Sequence, residues 1–177
     1  DLNGVKVRGA SRMVNAMLSK LGATPVGMPV PAVPEALSKG VIDATTIPWE
    51  VTAALKVPEL VKNHTEFTGN SLYNVTFVLA MNKAKYESLT DAQKKAIDDN
   101  SGEAFSVFAG TTQQSSDGPA RAAAVALGNN IITLSAEETA AWADAAKPVY
   151  DEWIAEMKGK GIDGEALIKE ARELMAQ

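Results

Sequence analysis

Between Val5 and Phe67, short apolar runs alternate with short amphipathic helical segments, and that alternation leaves few folds open. Val5 and Val7, with Lys6 between them, read as a strand after Gly4. Ser11 then opens a helix to Leu21. Met13, Val14, Met17, Leu18 and Leu21 fall on one stripe of it, and Gly22 supplies the stop. Thr24 to Met28 reads as a second strand. Pro34 to Lys39 is a short helix, with Pro34 near its first turn and Gly40 just past its end. Val41 to Ile47 reads as a third strand, ended by Pro48. A helix over Glu50–Lys56 follows and fails at Pro58, and the chain to Phe67 supplies a turn and one more strand. Strands separated by helices of this length join by right-handed crossovers into a parallel sheet, so the expected class is α/β.

Thr68-Gly69-Asn70-Ser71 reads as a linker. Beyond it, Val75, Phe77 and Leu79 alternate and predict a strand over Asn74–Met81. Thr90 is a candidate cap, with Asp91 and Gln93 in the first turn of a long helical stretch from Ala92 to about Leu127. Gly102, Gly110 and the Gly118-Pro119 pair predict a kink or break within it. Ile131 to Leu134 is a short strand, and Ser135 with Glu137 and Glu138 opens another helix, where acid suits the dipole. Pro148 is expected to end or bend that helix. Gly159 and Gly161 break it, and Gly164 to Met175 makes a last amphipathic helix.

The net charge of −5 is spread along 177 residues without a basic run, which argues against nucleic acid and anionic membranes as partners. No stretch offers the roughly 20 apolar residues of a membrane span, so direct membrane insertion is not expected. Without cysteine there is no thiol chemistry, and a single histidine, His64, leaves little for a catalytic triad or a His-rich metal site. His64 reads as solvated. No Gly-rich phosphate loop or metal-spaced cluster occurs, so neither metal nor cofactor is expected. Asp98 and Asp99 read as a solvated helix face, and Trp142 and Trp153 as core. With no signal peptide and an abrupt start at Asp1, the chain is expected to be a processed protein or a piece of one.

Arg8 is the residue with the most chemistry. It ends the first strand beside the N-terminus of the next helix, where a guanidinium fork and unpaired backbone N–H groups suit an anion. The plainer alternative pairs Arg8 with a surface carboxylate and leaves Ser11 as a cap only; the pattern alone favours it.

Order and spacing add a resemblance. Leu2-Xaa-Gly4-Xaa-Lys6-Xaa-Arg8 is followed by Leu21-Gly22-Ala23-Thr24-Pro25-Val26. Ala36-Leu37-Ser38-Lys39-Gly40-Val41-Ile42-Asp43 comes next, and then Pro48. Downstream stand the strand-like Asn74–Asn82 and Tyr86-Glu87-Ser88-Leu89-Thr90 before the long helix. In this the chain resembles the DctP-type solute-binding proteins of tripartite ATP-independent periplasmic (TRAP) transporters, across essentially its whole length.

The resemblance implies a periplasmic-binding-protein-like fold of two lobes joined by a hinge, here one lobe plus part of the other and a long helix. It assigns 1–72, with 129–150 returning, to a ligand-binding lobe. Residues 73–128 become the hinge strand and long helix of the other lobe, and 151–177 C-terminal helices. Family members are appreciably longer, so the chain is expected to be their C-terminal portion. The implied function is capture of a small organic acid in the periplasm by hinge closure, with the membrane components of the transporter as partners and no catalysis. By the same resemblance Arg8 is the carboxylate-binding arginine. Ser11 stands where many members have a small polar ligand contact, and Val30 where an aromatic ring often lines the cleft. Ile47 replaces a polar residue that in sugar-acid-binding members bonds the ligand. Trp49 either walls the pocket or packs as a core or interface residue. Ile47 therefore speaks against a polyhydroxylated ligand, whose hydroxyls would go unpaired beside it. Rival readings are a small α/β enzyme using Asp43 or Glu50 as a general base on a carboxylate substrate, and a ligand-sensing domain of the same fold. Asp43 has a plainer role, structural at its strand.

Overall fold

The computed structural model describes residues 2–69 and 71–175; Asp1, Asn70, Ala176 and Gln177, and with them part of the expected linker, lie outside the described residues. The chain forms two compact units. One gathers 1–46, 65–73 and 132–177, the other 47–64 and 74–131.

In the first unit β1 (Lys6–Gly9) is the centre of a three-stranded parallel sheet, in the order β2-β1-β3. Lys6 to Gly9 align with Thr24 to Gly27 of β2 (Thr24–Gly27), and Val7 and Arg8 with Ala44 and Thr45 of β3 (Ala44–Thr45). Helix α1 (Arg12–Lys20) links the first pair. Ser11 caps it by accepting the Val14 N–H at 3.2 Å, and Gly22 takes a φ of +88° at its end. Its stripe buries Val14, Met17 and Leu18 against Val7 and Ala23, as the spacing predicts. Helix α2 (Val33–Ser38) leads toward β3. That strand is shorter than the expected Val41–Ile47, because Val41 is spent on ending α2. Gly40 turns at φ +66° and the Val41 N–H returns to the Ala36 carbonyl at 2.9 Å, leaving the Val41 side chain in solvent.

Helix α9 (Ala136–Gly159) opens at a capping box between Ser135 and Glu138, packs against α1, and buries Val149 in the same core. Of the expected outcomes at Pro148, an end or a bend, the end does not occur: the helix continues through it to Gly159. Pro148 lies on the exposed side, where water can serve the freed carbonyl, while Val149 and Met157 hold the helix by packing. Helix α10 (Gly164–Met175) docks where Gly164 meets Trp153 and Met157.

In the second unit α3 (Trp49–Ala54) and α4 (Val57–Leu60) precede a helical run broken at Gly102, as the sequence suggests, where φ is +77°, and again at Ser115 and Ser116, just before Gly118-Pro119. After α5 (Lys83–Glu87), α6 (Asp91–Asp99) starts at a capping box between Thr90 and Gln93, and α7 (Glu103–Gln114) passes through Gly110. Gly118 and Pro119 stand in the first turn of α8 (Asp117–Ala126), where a missing N–H costs no helical bond. Helix α3 packs on α8 over buried Thr52, Ala120 and Ala124, and Asp117 accepts the Glu50 N–H at 3.0 Å. Residues 47–64 group with 74–131 in the second unit, and the packing of α10 on α9 belongs to the first. Strands β4 (Asn63–Phe67) and β5 (Asn130–Leu134) pair as a separate two-stranded sheet, and each passes from one unit into the other. No helix among the described residues is long and apolar enough to cross a membrane.

The strand expected over Asn74–Met81 does not form. No described strand pairs with it, and a strand needs a neighbour's backbone to satisfy its own. Phe77 is 67% exposed, Val78 81% and Leu79 84%. Such a stretch is a template for pairing with another chain. The 177-residue chain on its own is therefore expected to self-associate in sedimentation runs. Val78→Lys with Leu79→Lys should restore a monomer at a stability cost within about 0.5 kcal/mol, since both are surface changes. A monodisperse unsubstituted monomer would contradict this.

Candidate functional site

Arg8 stands at the C-terminal end of the central strand, between β2 and β3, where the strand order reverses. Open α/β sheets gather ligands outside the carboxyl ends of their strands at such a point. The residue is only 3% exposed. Its Nε–H donates to the Met28 carbonyl just past β2 at 3.2 Å, and Nη1 donates to the Thr46 carbonyl just past β3 at 3.1 Å. Thr46 in turn donates its N–H at 2.9 Å and its Oγ1–H at 3.2 Å to the Arg8 carbonyl. The guanidinium is thus clamped to the ends of both flanking strands. Of its five N–H donors two are so used, and among the described residues the Nη2 pair has no partner. Burial pulls the group below its ordinary value, tempered by Tyr73, and no carboxylate contributes. The expected alternative, a surface carboxylate partner, is therefore not what the structure shows. A buried, fixed cation with unspent donors is suited to an oxyanion.

Ser11 lies two residues past β1, exposed and engaged as the α1 cap. Val30 begins a 3-10 turn (Val30–Ala32) two residues after Met28 and is half-buried. With Arg8 they share the carboxyl end of the sheet in the first unit. Ile47 and Trp49, both half-buried, belong to the second unit. Asp43 turns out to be a brace: its carboxylate accepts the Lys6 N–H, and its own N–H donates to the Lys6 carbonyl, both at 2.8 Å.

Trp49 does not stand alone. Its ring centroid is 5.0 Å from that of His64, with the planes tilted by 31°. His64 is half-buried, which corrects the solvated reading, and its Nε2 lies 3.0 Å from Nδ2 of Asn129. Nothing near His64 in the chain signals this pairing, because Asn129 lies 65 residues away in sequence. Burial pushes the Glu50 carboxyl above its ordinary value, the Asp117 charge adding to the rise against two backbone N–H bonds that lower it. Glu50 accepts from Gln113 Nε2 at 3.4 Å and anchors α3 on α8 through its own N–H. Among the described residues no group of three or more His, Asp or Glu side chains is placed to hold a metal ion.

Residues 1–156 match the model of the bacterial extracellular solute-binding proteins, family 7 (DctP). The chain is similar to a TRAP solute-binding protein from Rhodoferax ferrireducens solved with copurified benzoate. The two are 47% identical, with a TM-score of 0.95, over 99% of this chain and 55% of that one. It is similar also to a marine metagenome TRAP solute-binding protein specific for aromatic acid ligands, solved with metahydroxyphenylacetate. Here the identity is 45% and the TM-score 0.94, over 99% and 55% of the two chains. The C4-dicarboxylate-binding periplasmic protein DctP of Rhodobacter capsulatus is 28% identical over 86% of this chain and 45% of its own length. The chain thus spans about half the length of the relatives it matches.

Proposed function

The chain belongs to the DctP family, the bacterial extracellular solute-binding proteins of family 7, and from that premise we propose that it serves as the carboxylate-gripping portion of a periplasmic receptor that delivers a small organic acid to a TRAP-type transporter. The observation that carries this is the Arg8 guanidinium, buried, clamped to two strand ends and left with donors to spend. A ligand carboxylate on those donors would make a charge-assisted pair in place of a buried cation's lost hydration. Ser11 and Val30, at the same end of the sheet, are the proposed neighbours of that carboxylate, and Ile47 and Trp49 are proposed as ligand contacts on the second unit. Closure of the hinge around the acid would give the form that the membrane components recognise. The site binds and releases its ligand unchanged.

Ile47 and Trp49 favour an aromatic monocarboxylate over a polyhydroxylated acid. An apolar ring against such side chains contributes about 25 cal/mol per Å² removed from water, whereas a buried hydroxyl without a partner costs about 1–3 kcal/mol. The relatives solved with benzoate and with metahydroxyphenylacetate support the same class. A thermal-shift panel on the intact protein tests this with benzoate, 3-hydroxybenzoate, malonate and galacturonate. Benzoate and 3-hydroxybenzoate are expected to raise the melting temperature most. A panel in which only galacturonate does so would overturn the ligand class.

A further inference from the structure

His64 sits in the second unit at the point where the chain leaves it, and three contacts fix its chemistry. Asn129, 8% exposed, is delivered by the turn that ends α8. There Gly128 takes a φ of +75° and the Asn129 N–H returns to the Ala124 carbonyl at 3.2 Å. Its Nδ2 donates to the Pro58 carbonyl at 2.7 Å. Turning the amide over would set Oδ1 against that carbonyl, two acceptors facing each other, so the orientation is determined. The second N–H of the same Nδ2 points to His64, whose Nε2 must therefore accept. The ring proton then belongs on Nδ1. Protonating Nε2 would set donor against donor, and Asn129 cannot turn to relieve it without losing Pro58. The other face of this arrangement is Trp49, stacked on the imidazole.

We infer that Asn129 holds His64 as its neutral Nδ1–H tautomer, that this pair positions the Trp49 ring, and that acid displaces the ring and weakens ligand binding. The inference rests on Trp49 being a ligand contact, as proposed above, and His64 is a positioning residue acting through it. The charged groups on the surrounding elements are Glu50 beside Trp49 on α3, with Asp117 of α8 at its N–H, and Glu59 on α4. Lys62 and Glu66 flank His64 along the chain. None of them moves His64, which burial alone pulls below 6.5. Because the folded ring takes up a proton less readily than the unfolded chain does, the Trp49 position is fully held above about pH 6.5. It is lost as the pH falls from there toward the lower folded value.

The test is nitrogen-15 NMR of the intact protein without ligand, with the His64 ring identified by its loss in His64→Gln and the Trp49 indole by its loss in Trp49→Phe. The expected result is the Nδ1–H tautomer, titrating below 6.5, with the Trp49 indole resonance moving in step. With benzoate as probe, affinity should fall severalfold from pH 7.5 to 5.0 in the wild type, most of it below pH 6.5. In His64→Gln, whose amide oxygen accepts from Asn129 without titrating, it should change less than about twofold. An Nε2–H tautomer, a Trp49 resonance indifferent to the titration, or equal pH dependence in both proteins would overturn the inference. If benzoate binds at no pH, the proposed ligand class fails, and the tautomer and the Trp49 resonance still decide this question. They decide it also if His64→Gln does not fold, since both are read in the wild type.

Discussion

Replacing Arg8 by Ala is expected to weaken benzoate binding to the intact protein by about 2–5 kcal/mol, roughly 30-fold to several-thousandfold. The size follows from where the guanidinium sits. It is 3% exposed and fixed by the Met28 and Thr46 carbonyls, so a bound carboxylate meets a preorganised donor and loses it entirely on truncation. Arg8→Lys should lose most of the same affinity. An ammonium can replace the charge but cannot hold both strand-end carbonyls and still present a fork to two oxygens. Calorimetry decides between these and the alternative. Either variant within about threefold of wild type, a difference of roughly 0.6 kcal/mol, would mean that the acid is held elsewhere.

Leu18→Ala is expected to cost about 2–5 kcal/mol of folding stability, the range for truncating a fully buried leucine. Leu18 is 1% exposed at the centre of the stripe by which α1 covers the sheet, among Val7, Val14, Met17 and Val149. The neighbours belong to a strand and two helices, so the hole cannot close by moving one side chain, and the cavity adds to the lost transfer free energy. Ser19→Ala, one residue on and facing solvent, should stay within about 0.5 kcal/mol. Urea unfolding of the two variants gives both numbers. A Leu18→Ala cost under about 1 kcal/mol would mean that α1 is not packed on the sheet as described.

The elements set by neighbours in sequence were legible: the α1 stripe, its Ser11 cap, the boxes at Thr90 and Ser135, the stop at Gly159. Each depends on residues within about one helical turn of one another. Arg8 was legible as a candidate because a charged residue ending an apolar strand is conspicuous; its release from any carboxylate partner was not. Its clamps, Met28 and Thr46, are backbone carbonyls, which carry no side-chain signature. Asn74–Met81 misled because alternation reports a half-buried strand only when a partner exists. His64 misled for a related reason, since its burial comes from Trp49 and Asn129, distant in sequence. Pro148 was read by its local effect, which the packing of Val149 and Met157 overrides.

A crystal structure of the intact protein with benzoate tests the central claim most directly. Both carboxylate oxygens are expected at about 2.7–2.9 Å from the Arg8 guanidinium nitrogens, with the Met28 and Thr46 contacts kept. A benzoate carboxylate bound away from Arg8, with the Nη2 donors still unspent, would contradict it.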